Sequence, residues 1–209
     1  LWLPSLPLSL PICQPLVIGG YTCVQNSQPW QVALLAGPGR RFLCGGVLLS
    51  DQWVITAAHC ARPILHVALG KHNLKKWEAT QQVLAWSARC HTPLQRPDPR
   101  QRPDAAAAEP ATRYPNALQC VNINIISSPQ CQRAYPNITA GMVCAGVPQG
   151  GKDSCQVRPG CEGLFRAGPL LLQGLVSWGM ERCALPGYPG VYTNLCKYRS
   201  WIQRTEQGQ

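Results

Sequence analysis

The sequence lacks the residue patterns that mark several common classes of protein. Its twelve cysteines include no Cys-x-x-Cys pair and its four histidines are scattered, which argues against a zinc protein. It has no internal repeat, and no apolar run is long enough to span a membrane. We therefore expect no metal, no cofactor and no membrane partner.

Acidic residues are also scarce, with nine Asp and Glu against nineteen Lys and Arg, for a net charge of +10. A charge of this size can indicate nucleic-acid or heparin binding. The basic residues are dispersed, however, and only Arg40-Arg41 and Lys75-Lys76 are adjacent. The charge is typical of a solvated cationic surface, and we expect no nucleic-acid partner.

Cysteine, proline and glycine are abundant instead. Twelve cysteines among 209 residues indicate an oxidising compartment and therefore a secreted, extracellular protein. Twenty prolines and nineteen glycines favour many short turns over long helices. Residues 1–16 are apolar but contain four prolines and no basic start, so we interpret them as the remnant of a leader or propeptide.

Short strands separated by turns are predicted from Val17 to about Leu84 and again from Ala117 to Tyr192. Two tracts, 85–111 and 157–167, show no strand alternation and are predicted to be irregular. The first of them is rich in proline and arginine. A terminal helix is predicted over 198–205.

One of four short motifs holds a candidate catalytic histidine. T-A-A-H-C places His59 beside Cys60, C-G-G contains Cys44, and V-I-G-G begins at Val17. Together with G-K-D-S-C-Q at Gly151 they resemble the trypsin-like (chymotrypsin-fold) serine proteases, in the kallikrein-related group. The resemblance covers about 17–84 and 113–209, excluding 157–167, and it makes 17–209 one protease domain.

The resemblance implies an all-β fold of two antiparallel six-stranded β-barrels, here incomplete, with a short C-terminal helix. The active site of this family lies between the barrels and needs no cofactor. Its members cleave peptide bonds after Arg or Lys. The implied partners are therefore protein or peptide substrates with Arg or Lys, and protease inhibitors, and the implied state is a monomer.

The same resemblance assigns roles to individual residues. His59 matches the general base. Asp153 matches the acid that pairs with the substrate cation in the specificity pocket. The walls of that pocket match Gly179 and Gly190, and the strand that pairs with substrate backbone matches Ser177, Trp178 and Gly179.

Four disulfides are implied by the resemblance, and they leave four cysteines without family partners. The implied pairs are Cys23–Cys120, Cys44–Cys60, Cys131–Cys144 and Cys155–Cys183, and the unpartnered residues are Cys13, Cys90, Cys161 and Cys196. Separately, Asn137-Ile-Thr forms an acceptor triplet for N-glycosylation.

Two catalytic groups of the family have no counterpart. The nucleophile belongs to G-D-S-G-G-P after Cys155-Gln156, but its position holds Pro159 or Arg166, depending on the alignment register. The triad carboxylate belongs to a strand motif such as D-N-D-L-M-L-L. In that interval the chain offers only Asp98 and Asp104, both within the proline-rich tract.

A one-base shift of reading frame across 100–108 can restore D-N-D-L-M-L-L-Q-L, so we interpret 85–110 as out-of-frame reading of a protease exon. Three hypotheses remain. The chain is a defective, inactive kallikrein-like product, an active endopeptidase whose sequence is garbled, or a non-catalytic homologue that binds substrates or inhibitors. The frame match and the unpartnered cysteines disfavour the third.

Overall fold

A computed structural model describes residues 17–86, 115–154, 164–167, 171–179 and 183–208. These residues form short strands and two short helices, which confirms the all-β class. The strands are β1 (Val17–Ile18), β2 (Tyr21–Thr22), β3 (Gln31–Ala36), β4 (Arg41–Leu48), β5 (Val54–Ile55), β6 (Leu65–Leu69), β7 (Gln82–Trp86), β8 (Gln119–Cys120), β9 (Asn124–Ile126), β10 (Met142–Gly146), β11 (Asp153–Ser154), β12 (Leu164–Ala167), β13 (Leu171–Trp178) and β14 (Gly190–Asn194). The helices are α1 (Ser128–Ala134) and α2 (Arg199–Glu206), and 3-10 turns lie at Ala58–Cys60 and Leu195–Tyr198.

The N-terminal half forms a five-stranded antiparallel sheet in the order β5-β4-β3-β6-β7. Its central strand β3 is buried on both faces because successive side chains of a strand point in opposite directions. Val32 and Leu34 pack into one core cluster, whereas Ala33 and Leu35 pack into another. This double burial explains the continuous apolar run V-A-L-L.

The C-terminal half forms a second five-stranded antiparallel sheet, in the order β12-β13-β14-β10-β9. Within the described ranges each sheet thus has five strands, against the six per barrel that the resemblance implied. The predicted terminal helix is confirmed as α2, which begins and ends one residue later than expected.

Two short strand pairs and one core cluster join the halves. Strand β1 pairs with β11, and β2 pairs with β8. Val47 of the first sheet packs with Leu175 of the second and with Leu195 in a buried cluster. The N-terminal residues are therefore attached to the C-terminal half by backbone hydrogen bonds as well as by apolar burial.

Three disulfides match the pairs that the resemblance implied: Cys23–Cys120, Cys44–Cys60 and Cys131–Cys144. Cys183 is also disulfide-bonded, while its expected partner Cys155 lies outside the described residues. Cys196 is exposed and free. The other cysteines without family partners, Cys13, Cys90 and Cys161, lie outside the description.

The prediction of irregular structure is wrong at the edges of both tracts. Ala85 and Trp86 are the last residues of β7, and Leu164–Ala167 form β12 against β13. Backbone pairing does not require side-chain alternation, so a neighbouring strand edge can recruit these residues despite their sequence. Residues 1–16, 87–111 and 157–163 lie outside the description. Among the described helices, neither is long and apolar enough to cross a membrane.

Removing the Cys23–Cys120 disulfide is expected to destabilise the fold more than removing Cys44–Cys60. The two bridges span 97 and 16 residues, and loop-closure entropy assigns them about 4.7 and about 3 kcal/mol. Urea unfolding of the two Cys→Ala double variants measures the difference. An equal loss, or a larger loss for Cys44→Ala/Cys60→Ala, would contradict the long bridge's role in joining the halves.

Candidate functional site

Asp153 is the centre of the candidate site. It begins β11, pairs with Ile18 of β1, and is only 6% exposed. The Ala184 N–H donates a hydrogen bond to its Oδ2 at 3.0 Å. The other oxygen, Oδ1, is buried and has no hydrogen-bond partner among the described residues. One side of a buried carboxyl group is thus left without a donor, which is costly unless a ligand supplies one.

Burial raises the pKa of Asp153 above its ordinary value, because desolvation penalises the carboxylate. The hydrogen bond from the Ala184 N–H, and the neighbouring Ser154 N–H, oppose this effect without overcoming it. A cation brought to Oδ1 would favour the charged form and lower the pKa again. The site is therefore electrostatically suited to a positively charged group.

Glycine backbone forms the surface that faces this free oxygen. A Cβ added to Gly190 would lie 2.8 Å from Asp153 Oδ1, closer than real side chains pack. A Cβ added to Gly179 would lie 4.0 Å from the Cα of Gly190. Asp153, Gly179 and Gly190, which the sequence predicted to be pocket residues, are thus brought together, and neither glycine has a side chain that would cover the carboxyl group.

Ala184 is a part of the site that the sequence did not indicate. Its φ of 58° lies in the left-handed region, which alanine rarely adopts. Hydrogen bonds hold it on both sides, since its N–H bonds to Asp153 and its carbonyl accepts from the Gly151 N–H at 2.8 Å. A non-glycine residue gives no sequence signal for this backbone conformation. Strain of this kind persists where the surroundings fix the chain.

Tyr192 is a second residue that the sequence did not assign, although it lies in the motif G-Y-P-G-V-Y-T-N. Its ring is buried, and its hydroxyl lies 2.6 Å from Ser154 Oγ. Burial raises the pKa of Tyr192 well above its ordinary value, so the phenol stays neutral. The pair fixes Ser154 beside Asp153 and places a Ser hydroxyl on the wall of the site.

Ser177 and Trp178 lie at the end of β13, next to β14. The pairing of β13 with β14 shifts register between Val176 and Trp178, so Ser177 sits at a bulge, where it is half-buried. Trp178 is opposite Val191, and its side chain lies outside the description. Gly179 follows Trp178 directly and is exposed. The end of β13 therefore adjoins the glycine surface beside Asp153.

His59 lies in the N-terminal half, on the 3-10 turn Ala58–Cys60. The Cys44–Cys60 disulfide ties this turn to β4, and the Thr56 hydroxyl donates to the Gly45 carbonyl at 2.8 Å just before it. The backbone at His59 is therefore held firmly. Its side chain is outside the description, so its role as general base stays a prediction.

The positions that the family uses for its nucleophile fall partly within the structure. Arg166 is in β12, opposite Leu172, and Pro159 lies outside the described residues. Asp98 and Asp104 lie outside as well. Over the described part of the chain no cluster of three or more His, Cys, Asp or Glu could hold a metal ion.

The family model described as trypsin matches the chain in two pieces, residues 17–107 and 94–202. The resemblance read from the motifs ended at residue 84 in the first half, so this match extends it through 107. The pocket residues described above, Asp153 and Ser154 with the two wall glycines, all lie in the second piece.

Individual relatives agree with this match. Kallikrein-14 from Homo sapiens is 58% identical over 90% of this chain and 84% of its own length. Trypsin V-B from Rattus norvegicus is 36% identical over 90% of this chain and 89% of its own. The structure of neuropsin, a serine protease expressed in the limbic system of mouse brain, has a TM-score of 0.70 and 34% identity, covering 90% of this chain and 99% of that one. The chain therefore belongs to the trypsin family of serine proteases, within its kallikrein group.

Proposed function

We propose that this chain is a secreted kallikrein-like protein that binds Arg or Lys side chains in the Asp153 site but does not hydrolyse the peptide bond. Sequence features alone disfavoured such a binding homologue, and the geometry at Asp153 is the reason to propose it. The observation that carries the binding half is the buried Oδ1 of Asp153, which has no donor among the described residues and faces the backbone of Gly190. Its partners are proteins or peptides with an accessible Arg or Lys, including protease inhibitors.

The physical argument for binding is that the site and the ligand each need an opposite charge. An isolated buried carboxylate lacks a positive charge, and a guanidinium or ammonium group that leaves water needs a carboxylate. Oδ2 is already bonded to Ala184, so the cation would bond first to Oδ1. The glycine surface at Gly179 and Gly190 supports this assignment because a long basic side chain needs an unobstructed path to Oδ1.

The argument against catalysis comes from the missing reactive groups. A serine mechanism requires a hydroxyl nucleophile beside the imidazole and donors for the oxyanion. Pro159 or Arg166 stands at the nucleophile's position, and proline has no N–H to offer an oxyanion. Ser154 is unsuited to replace it, since its hydroxyl is bonded to Tyr192 on the wall of the binding site.

Secretion is supported by the disulfides. Three bridges lie between described residues, and Cys183 takes part in another. Such a density of disulfides persists in oxidising compartments and is rare in the cytosol. The free and exposed Cys196 would then be a site for mispairing in the same environment.

Asp153→Asn is expected to weaken binding of benzamidine, an aromatic amidine that mimics the arginine head group. Loss of the buried charge should weaken binding by about 2 kcal/mol or more, roughly 30-fold. The unliganded Asp153→Asn variant should be as stable as the wild type or more stable, because an isosteric amide removes a desolvated charge. Calorimetric titration measures the affinity for benzamidine, and thermal unfolding measures the stability. Asp51→Asn, at an exposed acid, is the matched control. Unchanged affinity in Asp153→Asn would refute the site.

Binding of the same amidine is expected to weaken as pH falls. The cation binds the carboxylate form, so below the pKa of Asp153 affinity should drop about tenfold per pH unit. Because burial raises that pKa, the decline should begin at a higher pH than for a group titrating at 3.8. Titration calorimetry from neutral pH to pH 4 tests this, with Asp153→Asn as the reference. A flat profile would contradict the role of this carboxyl group.

The purified chain is expected to leave arginyl peptide substrates intact. Dismantled triads lose roughly 10⁴- to 10⁶-fold in kcat, so release of a chromogenic leaving group should be at least about 10⁴-fold slower than with intact trypsin. A serine-directed phosphonate should fail to label the chain, and intact trypsin run in parallel supplies the positive control. Turnover comparable to that control, with phosphonate on a serine, would show that the chain is an active endopeptidase.

A further inference from the structure

The turn that follows α1 carries the only Asn-x-Ser/Thr triplet in the sequence, Asn137-Ile138-Thr139. The turn is short and hydrogen-bonded at both ends. The Ile138 N–H donates to the Tyr135 carbonyl at 3.2 Å, and the Met142 N–H donates to the Thr139 carbonyl at 3.0 Å. The triplet thus has a defined backbone on the surface of the C-terminal half.

The three side chains of the triplet divide between solvent and core. Asn137 and Thr139 are exposed, whereas Ile138 is half-buried against the cluster that contains Cys131, Tyr135 and Cys144. The Asn137 side chain makes no hydrogen bond to any described residue. The middle residue therefore anchors the triplet, and both residues that a glycosyltransferase must recognise point away from the core.

We propose that Nδ2 of Asn137 carries an N-linked oligosaccharide. The donor is a lipid-pyrophosphate-linked oligosaccharide of the secretory pathway. The amide nitrogen forms a bond to C1 of the first sugar, the bond from C1 to the pyrophosphate oxygen breaks, and the lipid pyrophosphate leaves with that electron pair. The amide loses one proton. The proposal rests on the secreted location in the proposed function and is independent of the Asp153 site.

The folded structure can carry this group at no cost in packing. Tyr135, two residues before the acceptor, is buried, and its hydroxyl donates to the Pro189 carbonyl at 3.0 Å. Its ring also meets Tyr188 edge to face, with centroids 6.1 Å apart. The base of the turn is thus fixed to the segment before β14, while the acceptor extends from the turn into solvent.

The direct test is cell-free translation of the full chain, fused to a cleavable secretory signal, in the presence of endoplasmic-reticulum microsomes. Glycosyl transfer in this system does not require the chain to fold or to be exported. The protease-protected chain should show one upward gel shift that endoglycosidase H removes. Asn137→Gln and Thr139→Ala should abolish the shift, whereas Thr139→Ser should retain it. Asn116→Gln, at an exposed asparagine outside any triplet, should leave it unchanged.

Each outcome decides the proposal. A protected, signal-cleaved wild-type chain without a shift would overturn it, and so would a shift that persists in Asn137→Gln. Peptide mass spectrometry after enzymatic deglycosylation in oxygen-18 water should find the label at residue 137. Failure here would leave amidine binding at Asp153 untouched, so the two proposals fail separately.

Discussion

Asp153 keeps a carboxyl group out of water with one oxygen bonded to Ala184 and the other oxygen without a donor among the described residues. The surrounding backbone contacts both oxygens of this carboxyl group. Gly190 approaches Oδ1 so closely that no side chain would fit, and Ala184 holds a left-handed conformation to bring its N–H to Oδ2. A buried group this poorly satisfied costs free energy, which stabilising contacts elsewhere must offset.

Those stabilising contacts come from the joining of the two halves. Asp153 lies in the two-residue strand β11, whose partner is the N-terminal strand β1 at Val17–Ile18. The site therefore depends on a pairing of two strands that are far apart in the sequence. The Cys23–Cys120 bridge and the Val47–Leu175–Leu195 cluster hold the same junction. The proposed binding surface is thus a product of tertiary assembly, even though most of its residues come from short C-terminal segments.

Much of this could be read from the sequence, but only through motifs. The strands at V-A-L-L, three of the disulfides and the grouping of Asp153 with Gly179 and Gly190 were expected and are found. Ala184 and Tyr192 were missed because an alanine with positive φ and a buried tyrosine hydroxyl leave no pattern in a single sequence. Leu164–Ala167 were predicted to be irregular because they lack side-chain alternation. They form a strand because β13 offers a partner, and the local sequence does not reveal that partner.

The central claim is that this chain keeps the cation site at Asp153 but lacks the serine nucleophile. A crystal structure of the chain grown with benzamidine tests this claim most directly. The amidinium nitrogen should lie about 2.7–2.9 Å from Asp153 Oδ1, with the ring between the backbones of Gly179 and Gly190. No serine hydroxyl should lie beside the imidazole of His59. A structure with the amidine absent from Asp153, or with a serine in position next to His59, would contradict the claim.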